Sequence, residues 1–248
     1  MASRNPLKRK ASSKKETKAI IQPEEWFNKT YSLDHYLDVF TALAIWGEDL
    51  GHKLESCIYP GSYIHVVPSL IFPETVYVDM FKGKQNHVEK FFSLENRPQL
   101  LKMLQPQSKV AAPNIRFHQV DLTAKESDGS LSLAKLEQPK DVLVSLSASG
   151  EIPITCFDLV RDGGFFVGND DFGDASLAKG NPDMWTFIGA FEQDGLCTDN
   201  LAAYFVTSKS TTPDFTKNSG LSYSQRPFPC TKNAKAYLYQ KNCLPQDQ

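Results

Sequence analysis

The sequence predicts an α/β protein built on a mostly parallel sheet with helices on both faces, and three observations predict it. Five short apolar runs, rich in branched or aromatic residues, recur along the chain: Cys57-Ile58-Tyr59, Val76-Tyr77-Val78, Ile115-Arg116-Phe117, Val142-Leu143-Val144 and Phe165-Phe166-Val167. Runs of this length are what strands covered on both faces look like. Segments of helical character separate them, which is the rhythm of right-handed crossover units. The residues just after each run are polar, and in an open α/β sheet that rim is where a ligand binds.

Taken in order, residues 1–18 carry Arg4, Lys8, Arg9, Lys10, Lys14, Lys15 and Lys18 against the single Glu16. Removing these from the 27 basic and 29 acidic residues of the chain leaves 20 and 28, so a basic tail precedes an acidic body. No aromatic or β-branched apolar residue precedes Ile20, and the expectation is a disordered tail over residues 1–22 and one domain over 23–248. Lys8-Arg9-Lys10 and Lys14-Lys15 fit a bipartite nuclear-localisation signal, so residues 8–15 are expected to meet an import receptor.

From Pro23 to Ser56 the pattern is helical, with Tyr36, Phe40, Leu43, Ala44 and Trp46 at roughly helical spacing, Ser32 as N-cap, Asp34 in the first turn and Gly51 at the end. The five runs follow, with helical segments over 88–104, 131–136 and 152–160 between the second and fifth. Gly163-Gly164 reads as the turn that feeds the fifth run. Beyond Asp174 three further strands are expected, at Trp185–Phe191, Ala203–Val206 and Ala236–Tyr239, with a loop rich in Ser, Thr, Pro and Asn over 208–232 and an antiparallel pair at the end.

Composition and motifs exclude several classes. A chain of 248 residues that is 41% hydrophobic and 23% charged, with a net charge of −2, is neither collagen-like nor wholly disordered. Cys57, Cys156, Cys197, Cys230 and Cys243 are odd in number and widely spaced, which argues against a disulfide framework or a zinc ribbon and for a reduced, cytoplasmic setting. No run approaches the ~20 apolar residues of a membrane span. The chain contains no G-x-G-x-x-G and no phosphate-binding loop. Leu146-Ser147-Ala148-Ser149-Gly150 lacks the central serine of a nucleophile elbow. His35, His52, His65, His87 and His118 show no metal-ligand spacing. The acidic body offers no groove for nucleic acid.

Asp79 follows Gly61 by 18 residues, close to the spacing of about 20 at which nucleotide-binding sheets place the acid that accepts both hydroxyl protons of a ribose. The glycine lets backbone approach a ligand where a Cβ would intrude. Asp79 and Asp121 at successive strand ends, with Gly61, point to an adenosine-type ligand. Asn169 and Asp170 follow the fifth run. Asp171 and Asp174 are best read as caps of the next helix, and no acid ends the fourth run to complete a divalent-cation site.

The stretches Tyr59-Pro60-Gly61-Ser62-Tyr63-Ile64-His65, Phe72-Pro73, Tyr77-Val78-Asp79, Phe91-Phe92, Asp141-Val142-Leu143-Val144-Ser145, Gly163-Gly164-Phe165-Phe166 and Asn169-Asp170 with Gly173-Asp174-Ala175 resemble class I S-adenosylmethionine-dependent methyltransferase-like proteins over about residues 57–178. Tyr237-Leu238-Tyr239 echoes the last strand. The resemblance implies a Rossmann-like, seven-stranded sheet with S-adenosylmethionine over the first two strands. It further implies backbone around Gly61 near the methionine part, Asp79 on the ribose and Asp121 near the adenine, with Tyr59, Pro60, Ser62, Met80 and Ser145 as further cofactor-binding positions. Asn169 and Asp170 would stand beside the transferred methyl group as the catalytic pair, and no metal is implied. The first turn departs from the family pattern, because Gly61 is followed by full side chains where further glycines are usual. Two functions follow from the same residues: a methyltransferase acting on a small molecule or a protein side chain, or a catalytically inactive scaffold whose first turn is filled.

Overall fold

The computed structural model describes residues 22–80, 87–122, 124, 127, 131–146, 148, 150–205, 228, 230–232 and 234–243. The basic tail, Val206 and most of the 208–232 loop lie outside the described residues. One sheet holds β1 (Ser56–Pro60), β2 (Glu74–Asp79), β3 (Asn114–Gln119), β4 (Lys140–Ser145), β5 (Val160–Gly168), β6 (Trp185–Glu192), β7 (Gly195–Cys197) and β8 (Ala236–Lys241). Their order is β3-β2-β1-β4-β5-β8-β6-β7. The first five strands are parallel and in the doubly wound order, so the chain reverses its direction of travel across the sheet between β1 and β4. β8 is inserted antiparallel between β5 and β6, and β7 pairs antiparallel with β6 at the edge.

Period-2 side-chain alternation splits each apolar run between two cores. Cys57, Tyr59, Val142, Val144, Phe165 and Val167 face one cluster, where they meet Phe27 of α1 (Pro23–Thr30), Phe40 and Leu43 of α2 (Leu37–Asp49), Phe91 of α3 (His87–Phe91) and Leu100 of α4 (Arg97–Leu104). Ile58, Leu143 and Phe166 face the other, with Ile152 of α5 (Ile152–Thr155), Ala175 and Ala178 of α6 (Asp174–Lys179), Trp185 and Tyr239. Each such side chain, buried completely, contributes about 1.5–3 kcal/mol, and this two-sided burial is what holds the sheet.

The structure corrects several expectations. The helical N-terminal segment is two helices, because Tyr36, the N-cap of α2, sits at φ 62° in the left-handed region and turns the chain; Ser32 does not cap it. The 88–104 segment breaks into α3 and α4, and the 131–136 and 152–160 segments reduce to a 3-10 turn at Ser132–Lys135, the single turn of α5 and a 3-10 turn at Phe157–Leu159. Gly163-Gly164 lies inside β5, where the pairing with β4 shifts register between Lys140 and Val142. A Cβ on Gly164 would stand 2.8 Å from the Arg161 carbonyl oxygen and 2.9 Å from that of Asp141, so the glycine marks a bulge against a neighbouring strand. Ala203 belongs to a 3-10 turn at Leu201–Tyr204, and the edge strand β7 brings the count to eight.

Opposite the polar rim, the starts of β2 and β4 are tied by a buried ion network. Glu137, with a side chain 2% exposed, lies 2.8 Å from Arg116 Nη2, 3.1 Å from Lys140 Nζ and 2.7 Å from His118 Nε2. Glu74 completes it, 2.6 Å from Lys140 Nζ and paired with Arg116. Lys140 is itself only 6% exposed, so each charge is tolerable only because the others are present.

Candidate functional site

The tips of β1, β2, β4 and β5 converge on one rim, and the segment between α1 and α2 crosses above it. At the first turn, Gly61 adopts φ 65° and its N–H donates to the Val78 carbonyl at 2.8 Å. A Cβ there would lie 3.0 Å from the Cβ of Ala148, which follows β4. The bareness of Gly61 is therefore used by the chain itself. Two residues on, Tyr63 stands at φ 49°, a left-handed conformation that costs an aromatic residue about 1–2 kcal/mol.

What holds Tyr63 there is Asp79. The Tyr63 N–H donates to Asp79 Oδ2 at 2.8 Å, and the Met80 N–H donates to Oδ1 at 2.7 Å. Each carboxylate oxygen keeps a second acceptor site, and the residue is half-buried. Burial raises the Asp79 pKa, and the hydrogen bonds from Tyr63 and Met80 oppose that rise. The Tyr63 ring meets Trp26 of α1 edge-on, with centroids 6.4 Å apart. Tyr31 lies close enough that Tyr63 and Asp79 both add to the upward push that burial gives its hydroxyl pKa.

The other predicted positions at this end divide. Tyr59 points into the core, and Pro60 and Ser62 are buried beside it. Met80 is exposed at the rim, next to Asp79. Asp121 lies past β3, half-buried, its carbonyl accepting the Ala124 N–H at 3.1 Å. Ser145 closes β4 with no exposed surface; its Oγ lies near the Asp174 carboxyl but makes no hydrogen bond of good geometry.

At the tip of β5, Asn169 is buried and its backbone N–H donates to the Ser145 carbonyl at 3.1 Å. Its Nδ2 donates to Asp171 Oδ2 at 2.8 Å and to the Tyr36 hydroxyl at 3.3 Å. The expected capping pair of Asp171 and Asp174 is corrected. Asp170 accepts the Ser176 N–H at 2.8 Å and caps α6. Asp174, fully buried, reaches across to the segment after β4 and accepts the N–H groups of Gly150 at 3.2 Å and Ile152 at 3.1 Å, satisfying the start of α5. Burial pushes the Asp174 carboxyl up to about 7.

A polar chain joins the two ends of the rim and was not legible in the sequence. His65 is buried, and burial pulls its imidazole down to about 4. Its Nε2 lies 3.1 Å from the His35 carbonyl, which only accepts, so the neutral ring carries its proton on Nε2. Nδ1 is then an acceptor for the Tyr59 hydroxyl at 3.2 Å. His35 and Tyr36 thus pin the crossing segment to the first turn and to the tip of β5. Both ring nitrogens of His65 are engaged in these contacts, and its role is structural. Among the described residues, no group of three His, Cys, Asp or Glu could hold a metal ion, and no helix is long and apolar enough to cross a membrane.

No family model matches this chain, and no curated protein does. Among solved structures it is similar to the MycE methyltransferase of the mycinamycin biosynthetic pathway, in complex with Mg and SAH, at 12% identity and a TM-score of 0.36 over 88% of this chain and 50% of that one. It is also similar to the plantazolicin methyltransferase BpumL in complex with SAH, at 12% identity and a TM-score of 0.34 over 62% of this chain and 55% of that one. An S-adenosylmethionine-dependent methyltransferase from Clostridium acetobutylicum matches at 10% identity and a TM-score of 0.34 over 89% and 96% of the two chains. The chain spans about half the length of the first two. The sheet has five parallel strands in doubly wound order, a sixth parallel to them beyond an inserted antiparallel strand, and one added edge strand. The chain has a doubly wound, Rossmann-like α/β fold, with eight strands where seven were expected.

Proposed function

We propose that this chain binds S-adenosylmethionine at the tips of β1 and β2 and transfers its methyl group to a small molecule or a protein side chain. The observation that carries the reading is Asp79: a half-buried carboxylate at the end of β2, beside the point where the strand order reverses, fixed by two backbone N–H groups with an acceptor site left on each oxygen. That is the donor-hungry geometry a sugar diol fits. When bound, S-adenosylmethionine supplies a methyl group already activated on a sulfonium, so the protein has only to bind and align.

The chain's own residues take those tasks. Asp79 accepts the two ribose hydroxyl protons, and Asp121 stands one strand further along, toward the adenine. The Asn169 amide, steadied by Asp171 and Tyr36, orients the acceptor, and the crossing segment 31–36 keeps water from the rim. Asp170 is occupied as a helix cap, which leaves Asn169 the stronger of the two candidates for contact with the acceptor.

A second reading has its own observation. Gly61 already packs on Ala148, so the methionine end of the site is filled by the chain unless the segment after β4 moves, and a scaffold without cofactor follows. A thermal-shift screen separates the two, because a ligand of the native state raises its stability by mass action. S-adenosylmethionine and its demethylated product are expected to raise the melting temperature while nicotinamide dinucleotides and ATP do not. No shift, and no calorimetric heat at millimolar ligand, leaves the scaffold. The basic clusters of residues 8–15 are proposed to direct nuclear import, and a fluorescent fusion that stays outside the nucleus removes that idea.

A further inference from the structure

The first turn contains two left-handed positions, Gly61 at φ 65° and Tyr63 at φ 49°, separated by Ser62. The backbone thus has the shape that two glycines would adopt with ease, with a tyrosine at the second. Large side chains rarely persist in this region unless the surroundings hold them, and such outliers gather where function needs them. Here the surroundings are identifiable: the N–H is held by Asp79 Oδ2 at 2.8 Å, and the ring by Trp26 at 6.4 Å, edge-on.

The hydrogen bond fixes where the side chain begins. Covalent geometry puts Cβ about 2.5 Å from its own nitrogen, so with the N–H 2.8 Å from Asp79 Oδ2 the Tyr63 Cβ lies no more than about 5.3 Å from that oxygen. A sugar hydroxyl bonded to the same oxygen would sit about 2.7 Å from it. A ribose bonded to Asp79 would therefore have Tyr63 as its immediate neighbour. Trp26 of α1 covers the Tyr63 ring edge-on, and Tyr31, the residue after α1, feels both Tyr63 and Asp79 in the raised pKa of its hydroxyl.

We infer that Tyr63 is the affinity-setting residue of the cofactor site, its side chain taking room beside Asp79 that the ribose needs. This rests on the S-adenosylmethionine reading above and adds which residue limits it. Tyr63→Gly removes the ring and the backbone strain while keeping the N–H on Asp79. Tyr63→Asn, which tolerates a left-handed backbone, serves as a second variant should the glycine fail to fold. Tyr63→Phe keeps the ring as a control.

The test is isothermal titration of each full-length variant with S-adenosylhomocysteine. Tyr63→Gly and Tyr63→Asn are expected to bind at least tenfold tighter than wild type, Tyr63→Phe to match wild type, and the added Asp79→Ala change to abolish the gain. If wild type binds and the glycine and asparagine variants bind equally or more weakly, the assignment of Tyr63 is overturned while the cofactor reading stands. If no variant binds at millimolar ligand, both fall. Binding by the small-residue variants alone sustains both, with Tyr63 as a plug.

Discussion

Gly61 and Ala148 meet across the gap between the tips of β1 and β4, so closely that a Cβ on the glycine would lie 3.0 Å from that of the alanine. Gly61→Ala is expected to destabilise the fold by about 1–3 kcal/mol, from the left-handed backbone and the contact together. Placing it on an Ala148→Gly background recovers the contact part and leaves the backbone part. A double-mutant cycle by urea unfolding that shows simple additivity contradicts the contact.

Asp174 makes stability depend on pH. Its folded-state pKa of about 7 lies above the ordinary 3.8, so the protonated form is the one the fold favours. The stabilisation is fully present below about pH 4 and is lost as pH rises through about 7. Unfolding midpoints measured between pH 5 and 8 are expected to fall with rising pH in wild type and to fall less in Asp174→Asn. Parallel profiles refute the assignment.

Removing Glu137 strands two cations. Glu137→Ala leaves Lys140, 6% exposed, and Arg116 short of a buried partner, and the loss is expected to be about 3–5 kcal/mol. Glu137→Gln keeps the shape and loses the charge, and should cost less. A loss under about 1 kcal/mol for the alanine shows the network to be dispensable.

Much of this architecture is written in the sequence, and the parts that are not share a cause. Five buried parallel strands show as apolar runs because both faces of each are covered, as with Ile58 against one core and Cys57 and Tyr59 against the other. The bulge at Gly163-Gly164 reads as a turn because a strand glycine and a turn glycine look alike until the neighbouring Asp141 carbonyl is seen. Asp79 was legible from its place after a strand. Its partners were not, since the Tyr63 and Met80 groups that hold it are backbone N–H, which every residue carries. For the same reason Asp170 takes the capping role expected of Asp171 and Asp174: capping is decided by which N–H a carboxylate reaches, and Asp174 reaches another helix.

The contact between Tyr36 and Asn169 predicts a coupling. The Asn169 amide donates to the Tyr36 hydroxyl at 3.3 Å and joins the crossing segment to the tip of β5. A cycle of Tyr36→Phe and Asn169→Ala should return about 0.5–1.5 kcal/mol of interaction, and amides over 35–40 should exchange faster in Tyr36→Phe than in wild type. Unaltered exchange there means that this hydrogen bond does not hold the segment.

The most direct measurement is a crystal structure of the protein with S-adenosylhomocysteine, alongside calorimetric titration of Asp79→Ala. The ribose hydroxyls are expected within about 2.7–3.0 Å of the two Asp79 carboxylate oxygens, with the substitution weakening binding by about 1.5–3 kcal/mol. A ligand seated away from β2, or bound equally well without the carboxylate, contradicts the account.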